Sequence, residues 1–119
     1  MGLFDEMEAE VEAARGRFPR MSEAVWQSIE SMREATEWLI AQTDMNDRFA
    51  GAVPYLTAFA RVLGGQLHLK AAMADPDGPR AHLARFYIHW LLPEHEGLLV
   101  QAQTGDETLY AITPEALSA

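Results

Sequence analysis

Apolar side chains recur every three or four residues along most of this 119-residue chain, and that spacing predicts helices joined by short turns. From about Leu3 to Arg15, the residues Phe4, Met7, Val11 and Ala14, continued by Phe18, form one apolar stripe. Gly16 and Pro19 close this first helix. Ser22 is the expected N-cap of a second helix, roughly twenty residues long, along which Val25, Ile29, Met32, Thr36 and Leu39 repeat the period. Trp26 and Trp38 fall off that row, so they either widen the buried face or meet a partner.

Thr43–Asp47 reads as a turn, with Asn46 or Asp47 capping a third helix. In that helix Pro54 sits inside the helical pattern, so the helix either starts near Val53 or is longer and kinked. Leu56, Phe59, Leu63, Leu67 and then Lys70 or Ala71 keep the period beyond it. Gly64 and Gly65 interrupt that row, each costing about 1 kcal/mol against alanine in a helix. Close approach of a neighbouring helix is the first compensation to expect; a ligand lying on bare backbone and a helix break are the alternatives. Asp75–Pro79 is a turn, and Pro79 suits the first position of a fourth helix running to about Thr104. Its apolar side is expected to hold Leu83, Phe86, Tyr87, Trp90 and Leu91, continued by Leu98, Leu99 and Ala102, with Pro93 kinking or dividing it. Gly105-Asp106 ends that helix, Leu109–Ile112 is a short apolar tail, and Thr113–Leu117 reads as one terminal turn. The expected fold is all-α: an up-down antiparallel four-helix bundle with Pro-kinked third and fourth helices, forming a single domain over residues 1–119.

Composition narrows the function. Hydrophobic residues make up 49% of the chain, which places it among folded globular proteins. A formal net charge of −9 and a single lysine, Lys70, argue against nucleic acid, whose phosphates take many clustered Lys and Arg to neutralise. In the first part of the chain Asp5, Glu6, Glu8, Glu10 and Glu12 precede Arg15, Arg17 and Arg20, a polarity that suits a helix dipole. Cysteine is absent, so no disulfide, thiolate metal site or cysteine nucleophile exists, in keeping with a cytoplasmic location. No basic leader precedes an apolar run, and no stretch approaches the roughly 18 apolar residues of a membrane span, so a soluble protein is expected.

Candidate chemistry is sparse. His82, His89 and Glu96 share one helical stripe, but seven residues span about 10 Å, too far for two of them to hold one ion. The serines stand in no nucleophile-elbow sequence. Glu94-His95-Glu96 points its side chains in different directions, and Gly64-Gly65 is not a phosphate loop because it lies within a helix. No catalytic, cofactor-binding or metal-binding residue is assigned. Trp26, Trp38 and Trp90 remain candidate interface residues, and Gly64, Gly65 and Pro54 candidate close-packing points.

Arg33-Glu-Ala-Thr-Glu-Trp-Leu39, Ala52-Val-Pro-Tyr-Leu56, Gly64-Gly65, Ala84-Arg-Phe-Tyr87 and Leu91-Leu-Pro93 occur in the order and spacing of a known family. The chain resembles the C-terminal helical domain of acyl-CoA dehydrogenase-like flavoproteins, of the methylmercaptopropionyl-CoA dehydrogenase type, over nearly its whole length. The resemblance implies a non-catalytic helical appendage to a flavin-dependent core in fatty acid metabolism. That core would bind FAD and an acyl-CoA thioester. The family's general-base glutamate and flavin contacts belong to the upstream core, so none is carried over, and the chain alone is expected to have no dehydrogenase activity. The implied partner is the catalytic core, in cis or in trans, with the chain supporting it, shaping an oligomer interface or partly covering an active-site entrance; homodimerisation is left open. The alternative is a stand-alone bundle binding an acyl or other apolar ligand beside Pro54 and Gly64-Gly65, for which Arg61 and Arg85 offer only isolated basic residues.

Overall fold

The computed structural model describes residues 2–42, 45–104 and 115. Among them every regular element is helical: α1 Leu3–Ala14, α2 Pro19–Ala41, α3 Met45–Ala74, α4 Pro79–Phe86, a π-helical turn Tyr87–Leu91, and α5 Glu94–Thr104. α1 opens with Asp5 and Glu6 in its first turn, where acidic side chains complement the dipole. The Gly2 amide donates to Asp5 Oδ2 at 3.2 Å; that bond and then the Arg33 guanidinium hold the Asp5 carboxyl below the usual carboxylate range.

α2 begins three residues before the expected cap. Pro19, with φ already fixed near the helical value and no N–H to leave unpaired, takes the first helical position. Ser22 is therefore no cap but a fully buried residue within α2, its amide bonded to Phe18 O at 2.9 Å. α3 is already running at Met45 and passes through Pro54 and Gly64-Gly65 without interruption. Of the turn expected over Thr43–Asp47, Thr43 and Asp44 lie outside the described residues, as do the helix end expected at Gly105-Asp106, the tail Leu109–Ile112 and, apart from Glu115, the terminal turn Thr113–Leu117.

The stretch expected as one fourth helix changes winding ahead of Pro93. Leu92 N–H bonds to Tyr87 O at 2.9 Å, five residues back rather than four. A proline ring in a regular helix would press on the carbonyl of His89 and leave that oxygen without its donor; loosening the preceding turn by one residue relieves the crowding. Tight bonds from His95 N to Leu92 O (3.0 Å) and from Glu96 N to Pro93 O (3.2 Å) then start α5.

α3 packs against each of the other helices and the π turn. α2 and α3 are joined by a hydroxyl pair, Thr36 Oγ1 and Tyr55 Oη at 2.6 Å. Because the Thr36 hydroxyl donates to Met32 O at 2.7 Å, Tyr55 is the donor between them. α1 is held by Arg33 of α2, which meets Glu8 Oε1 at 2.5 Å and Asp5 Oδ1 at 3.1 Å and covers the Phe4 ring; Phe4 also stands edge-on to Phe59 of α3.

The buried rows of α1 and α2 follow the sequence pattern, with Met7, Val11 and Ala14 on one and Val25, Ile29 and Met32 on the other. Those of α3 and α4 do not. Of the row expected on α3, Leu56 and Leu67 are exposed and Phe59 and Leu63 only partly covered; its buried face is Gly51, Ala58, Val62, Gly65, Leu69 and Ala72. Of the row expected on α4 and its continuation, Leu99 and Ala102 are buried as expected and Tyr87, Leu91 and Leu98 are partly covered, but Leu83, Phe86 and Trp90 point outward, and Ala81, Ala84, Ile88, Leu92 and His95 face the core in their place. Both buried rows keep a three-and-four period, with small residues, Gly51, Ala58, Gly65 and Ala72 on α3 and Ala81 and Ala84 on α4, where these elements approach closely. At Gly51 the approach is backbone to backbone: a Cβ there would be driven into the Ala102 carbonyl oxygen, with the carbonyl carbon at 3.3 Å and a Leu39 methyl at 3.0 Å.

Backbone cannot step aside as a side-chain tip can, so Gly51→Ala is expected to destabilise the protein by about 1–3 kcal/mol, against a helix-propensity gain of about 1 kcal/mol. Urea denaturation followed by circular dichroism measures this; a midpoint at or above that of the parent would show that α5 is not seated on α3 at this residue.

Candidate functional site

Three places concentrate what this chain offers to another molecule: the seam between α3 and the π turn, the outer face of α4, and a cavity between α1 and α3.

At the seam, Tyr87 occupies the space that a side chain at residue 64 would need. A Cβ on Gly64 would meet the Tyr87 hydroxyl and lie 2.7 Å from ring carbon Cζ. The bare backbone lets the phenol lie along α3, where its hydroxyl donates to Arg61 O at 2.8 Å and its ring stacks on His68, centroids 4.5 Å apart. Burial pushes the Tyr87 hydroxyl above the ordinary tyrosine range, favouring the neutral donor. Arg61 closes the seam a second time through its guanidinium, 3.0 Å from Glu94 Oε2 at the start of α5. Gly65 is more relaxed: its Cβ would sit 3.3 Å and 3.4 Å from the Leu92 methyls and 3.6 Å from Val25. What lies against Gly64 and Gly65 is thus side chain, and the backbone approach falls at Gly51.

Pro54 lies inside α3, partly buried; its neighbours in sequence Ala52, Tyr55 and Leu56, without Pro54 itself, join Leu39 and Ile40 in lining an open apolar hollow of about 420 Å³. The other predicted residues separate. Trp26 packs partly buried against the core, Trp38 is half-buried on α2, its carbonyl accepting from Gln42 Nε2 at 3.0 Å, and Trp90 is 74% exposed. Trp90, in the π turn, stacks on Phe86, centroids 6.3 Å apart, and Leu83 (58% exposed) shares their outward side. Such a row of large apolar side chains in water is the kind of feature that marks a contact surface.

The third place has no signature in the sequence. A cavity of about 210 Å³ lies between α1 and α3, walled by Val11, Ala14, Leu69 and Met73, with Glu10 and Lys70 also on its lining. Gln66, 7% exposed, lines it as well. Its amide nitrogen donates to Glu10, and its Oε1 is buried without a hydrogen-bond partner among the described residues. Nothing in the α3 periodicity distinguishes Gln66 from a surface glutamine; only the seating of α1 buries it.

The histidines do not converge. His82 on α4 and His89 in the π turn are exposed, whereas His95 is buried with Nδ1 2.6 Å from Leu92 O. Among the described residues no three His, Asp or Glu side chains form a group able to hold a metal, and no helix is long and apolar enough to cross a membrane.

A protein-family model described as acetyl-CoA dehydrogenase C-terminal like matches residues 3–113. No curated protein and no solved structure matches the chain.

The seam yields a prediction whose sign depends on the partner residue. In the parent, Gly64→Ala displaces the Tyr87 hydroxyl and forfeits its hydrogen bond, a loss of about 1 kcal/mol plus packing, which outweighs the propensity gain of about 1 kcal/mol. In a Tyr87→Ala background the obstruction is gone, so the same change is expected to stabilise. A double-mutant cycle on urea midpoints reads this directly; equal effects in both backgrounds would refute the coupling.

Proposed function

Because the chain belongs to the acetyl-CoA dehydrogenase C-terminal-like family, we propose that it is a non-catalytic helical accessory domain that docks on the flavin-dependent core of an acyl-CoA dehydrogenase-like protein, in cis or in trans. On this reading its helices form one domain in an up-down antiparallel arrangement, the third and fourth kinked at Pro54 and Pro93. FAD and the acyl-CoA thioester belong to that core, which works in the cytoplasm in fatty acid metabolism, and this chain alone dehydrogenates nothing. The observation that carries the reading is the outward row Leu83, Phe86 and Trp90, exposed although α4 has an alanine face already seated on the core. Burying such a row against a partner is favourable by about 25 cal/mol per Å² of apolar surface removed from water. Trp90, at the end of the row, fits the profile of an interface anchor.

Capture of source-cell lysate on the immobilised chain is expected to retain a protein with flavin absorbance and acyl-CoA-oxidising activity. Trp90→Glu should abolish that retention while leaving helicity and thermal midpoint at parent values, since the side chain touches little of the fold. Retention of no flavoprotein, or retention indifferent to Trp90→Glu, would count against docking through this face.

A second reading, a bundle that binds a small apolar ligand, is favoured by the α1–α3 cavity and by Gln66 Oε1, which lacks a donor among the described residues. A short-chain alcohol would place its hydroxyl on Gln66 and its tail among Val11, Leu69 and Met73. Millimolar 1-hexanol is expected to raise the thermal midpoint of the parent and not that of Gln66→Leu; no shift in the parent removes this reading.

A further inference from the structure

Charge is unevenly spread over this acidic chain. Residues 79–93 carry Arg80 and Arg85 and no Asp or Glu, in a sequence whose formal net charge is −9. The fold brings part of this stretch to the corner between α1 and α2, where Arg17 and Arg20 flank the buried Phe18. Arg85 reaches across from α4, its guanidinium 5.9 Å from the centroid of the Phe18 ring. Two hollows open around this contact. One, of about 260 Å³, is lined by Arg17, Phe18, Asp77, His82 and Arg85. The other, of about 340 Å³, is lined by Arg17, Phe18, Arg20, Arg85 and His89.

The arginines here are poorly neutralised. Arg17 meets only Asp77, at 2.9 Å, and that carboxylate is 94% exposed. Such a pair holds little energy and gives way readily to a stronger anion. Arg20 and Arg85 have no ion-pair partner among the described residues, in contrast to Arg15, Arg33 and Arg61, each of which is paired. Three like charges around two shared hollows repel one another until an anion enters. Arg85 lies against an aromatic ring, which limits the freedom it would lose on binding.

Guanidinium forks match the oxygens of phosphate, and several of them together suit a dianion better than a single carboxylate. The size of the hollows fits one or two phosphoryl groups. The charge of the remaining surface repels a long polyanion or an anionic membrane, but a small ligand engages the corner alone. We propose that this corner binds the phosphoryl groups of a small, soluble phosphate ester, an inference that does not rest on docking through Trp90. Sequence alone could not show it, because Arg17 and Arg20 lie 68 and 65 residues from Arg85, and each read singly is an ordinary surface residue.

The test is calorimetric titration of pyrophosphate into the full chain at low ionic strength. One saturable site is expected. Arg85→Gln and Arg20→Gln should each weaken it by about tenfold or more, as the loss of a charge-assisted hydrogen bond does, and Lys70→Gln, in a different hollow, should leave it unchanged. Circular dichroism establishes that each variant keeps the parent helicity; should Arg85→Gln lose it, the exposed Arg20→Gln decides. The proposal is overturned by absence of saturable binding, by equal weakening in Lys70→Gln, by citrate binding as tightly as pyrophosphate, or by binding seen only to vesicles containing phosphatidic acid.

Discussion

The close seating of the π turn and α5 on the glycine-alanine face of α3 is the constraint on which the rest of this structure depends. Where backbone meets backbone at Gly51 and a phenol ring lies on bare helix at Gly64, there is no room for Leu or Phe. The faces that meet there carry Ala58, Ala72, Ala81, Ala84 and Ala102, and the larger buried side chains, such as Ile29, Met32, Leu69 and Ile88, fill the space beside them. Each glycine costs α3 about 1 kcal/mol of intrinsic helix stability. The offset is close packing summed over many atom pairs, helped at residue 64 by one hydrogen bond from Tyr87 to a helix carbonyl. The π turn belongs to the same adjustment, since it accommodates Pro93 while keeping Ile88, Leu92 and His95 on the buried side.

This constraint explains which parts of the fold are legible in the sequence. The helical period is plain throughout, and on α1 and α2 bulk and burial coincide, so the pattern alone places Met7, Val11, Val25, Ile29 and Met32 inside. On α3 and α4 the equation of large with buried fails. The true rows, Gly51-Ala58-Val62-Gly65-Leu69-Ala72 and Ala81-Ala84-Ile88-Leu92, have the right period, but their side chains are smaller than those of the rows beside them. The start of α2 departs from expectation for a local reason: Pro19 reads as the residue that closes one helix, whereas its fixed φ makes it the first residue of the next. The features that bear on binding are the least legible, because each depends on residues far apart in sequence: Tyr87 against Gly64, Gln66 beneath α1, and Arg85 over Phe18.

Placing small residues inside leaves the large apolar ones outside. Leu83, Phe86 and Trp90 are exposed as a consequence of Ala81 and Ala84 being buried, for a helix with small side chains on its inner face must carry its bulk elsewhere or be polar there. A free-standing protein would gain solubility from polar residues along that outer row. That the row consists of leucine, phenylalanine and tryptophan is what links the packing of α3 to the accessory role proposed for the chain.

The electrostatics of α4 bear on how such a partner arrives. With eighteen acidic and nine basic residues, most of this surface repels an acidic partner, and a field of one sign over most of a small protein orients an approaching charged surface before contact. The 79–93 stretch, free of acid, is where that repulsion is weakest, and it carries both the apolar row and Arg85. A partner covering Trp90 and Phe86 would therefore approach the arginine corner, and a phosphorylated ligand held there would remove positive charge from the rim of the contact. Rim charges act mainly on association rate and its salt dependence, while the buried apolar row governs dissociation. A ligand at Arg85 would thus tune how fast the domain docks more than how long it stays.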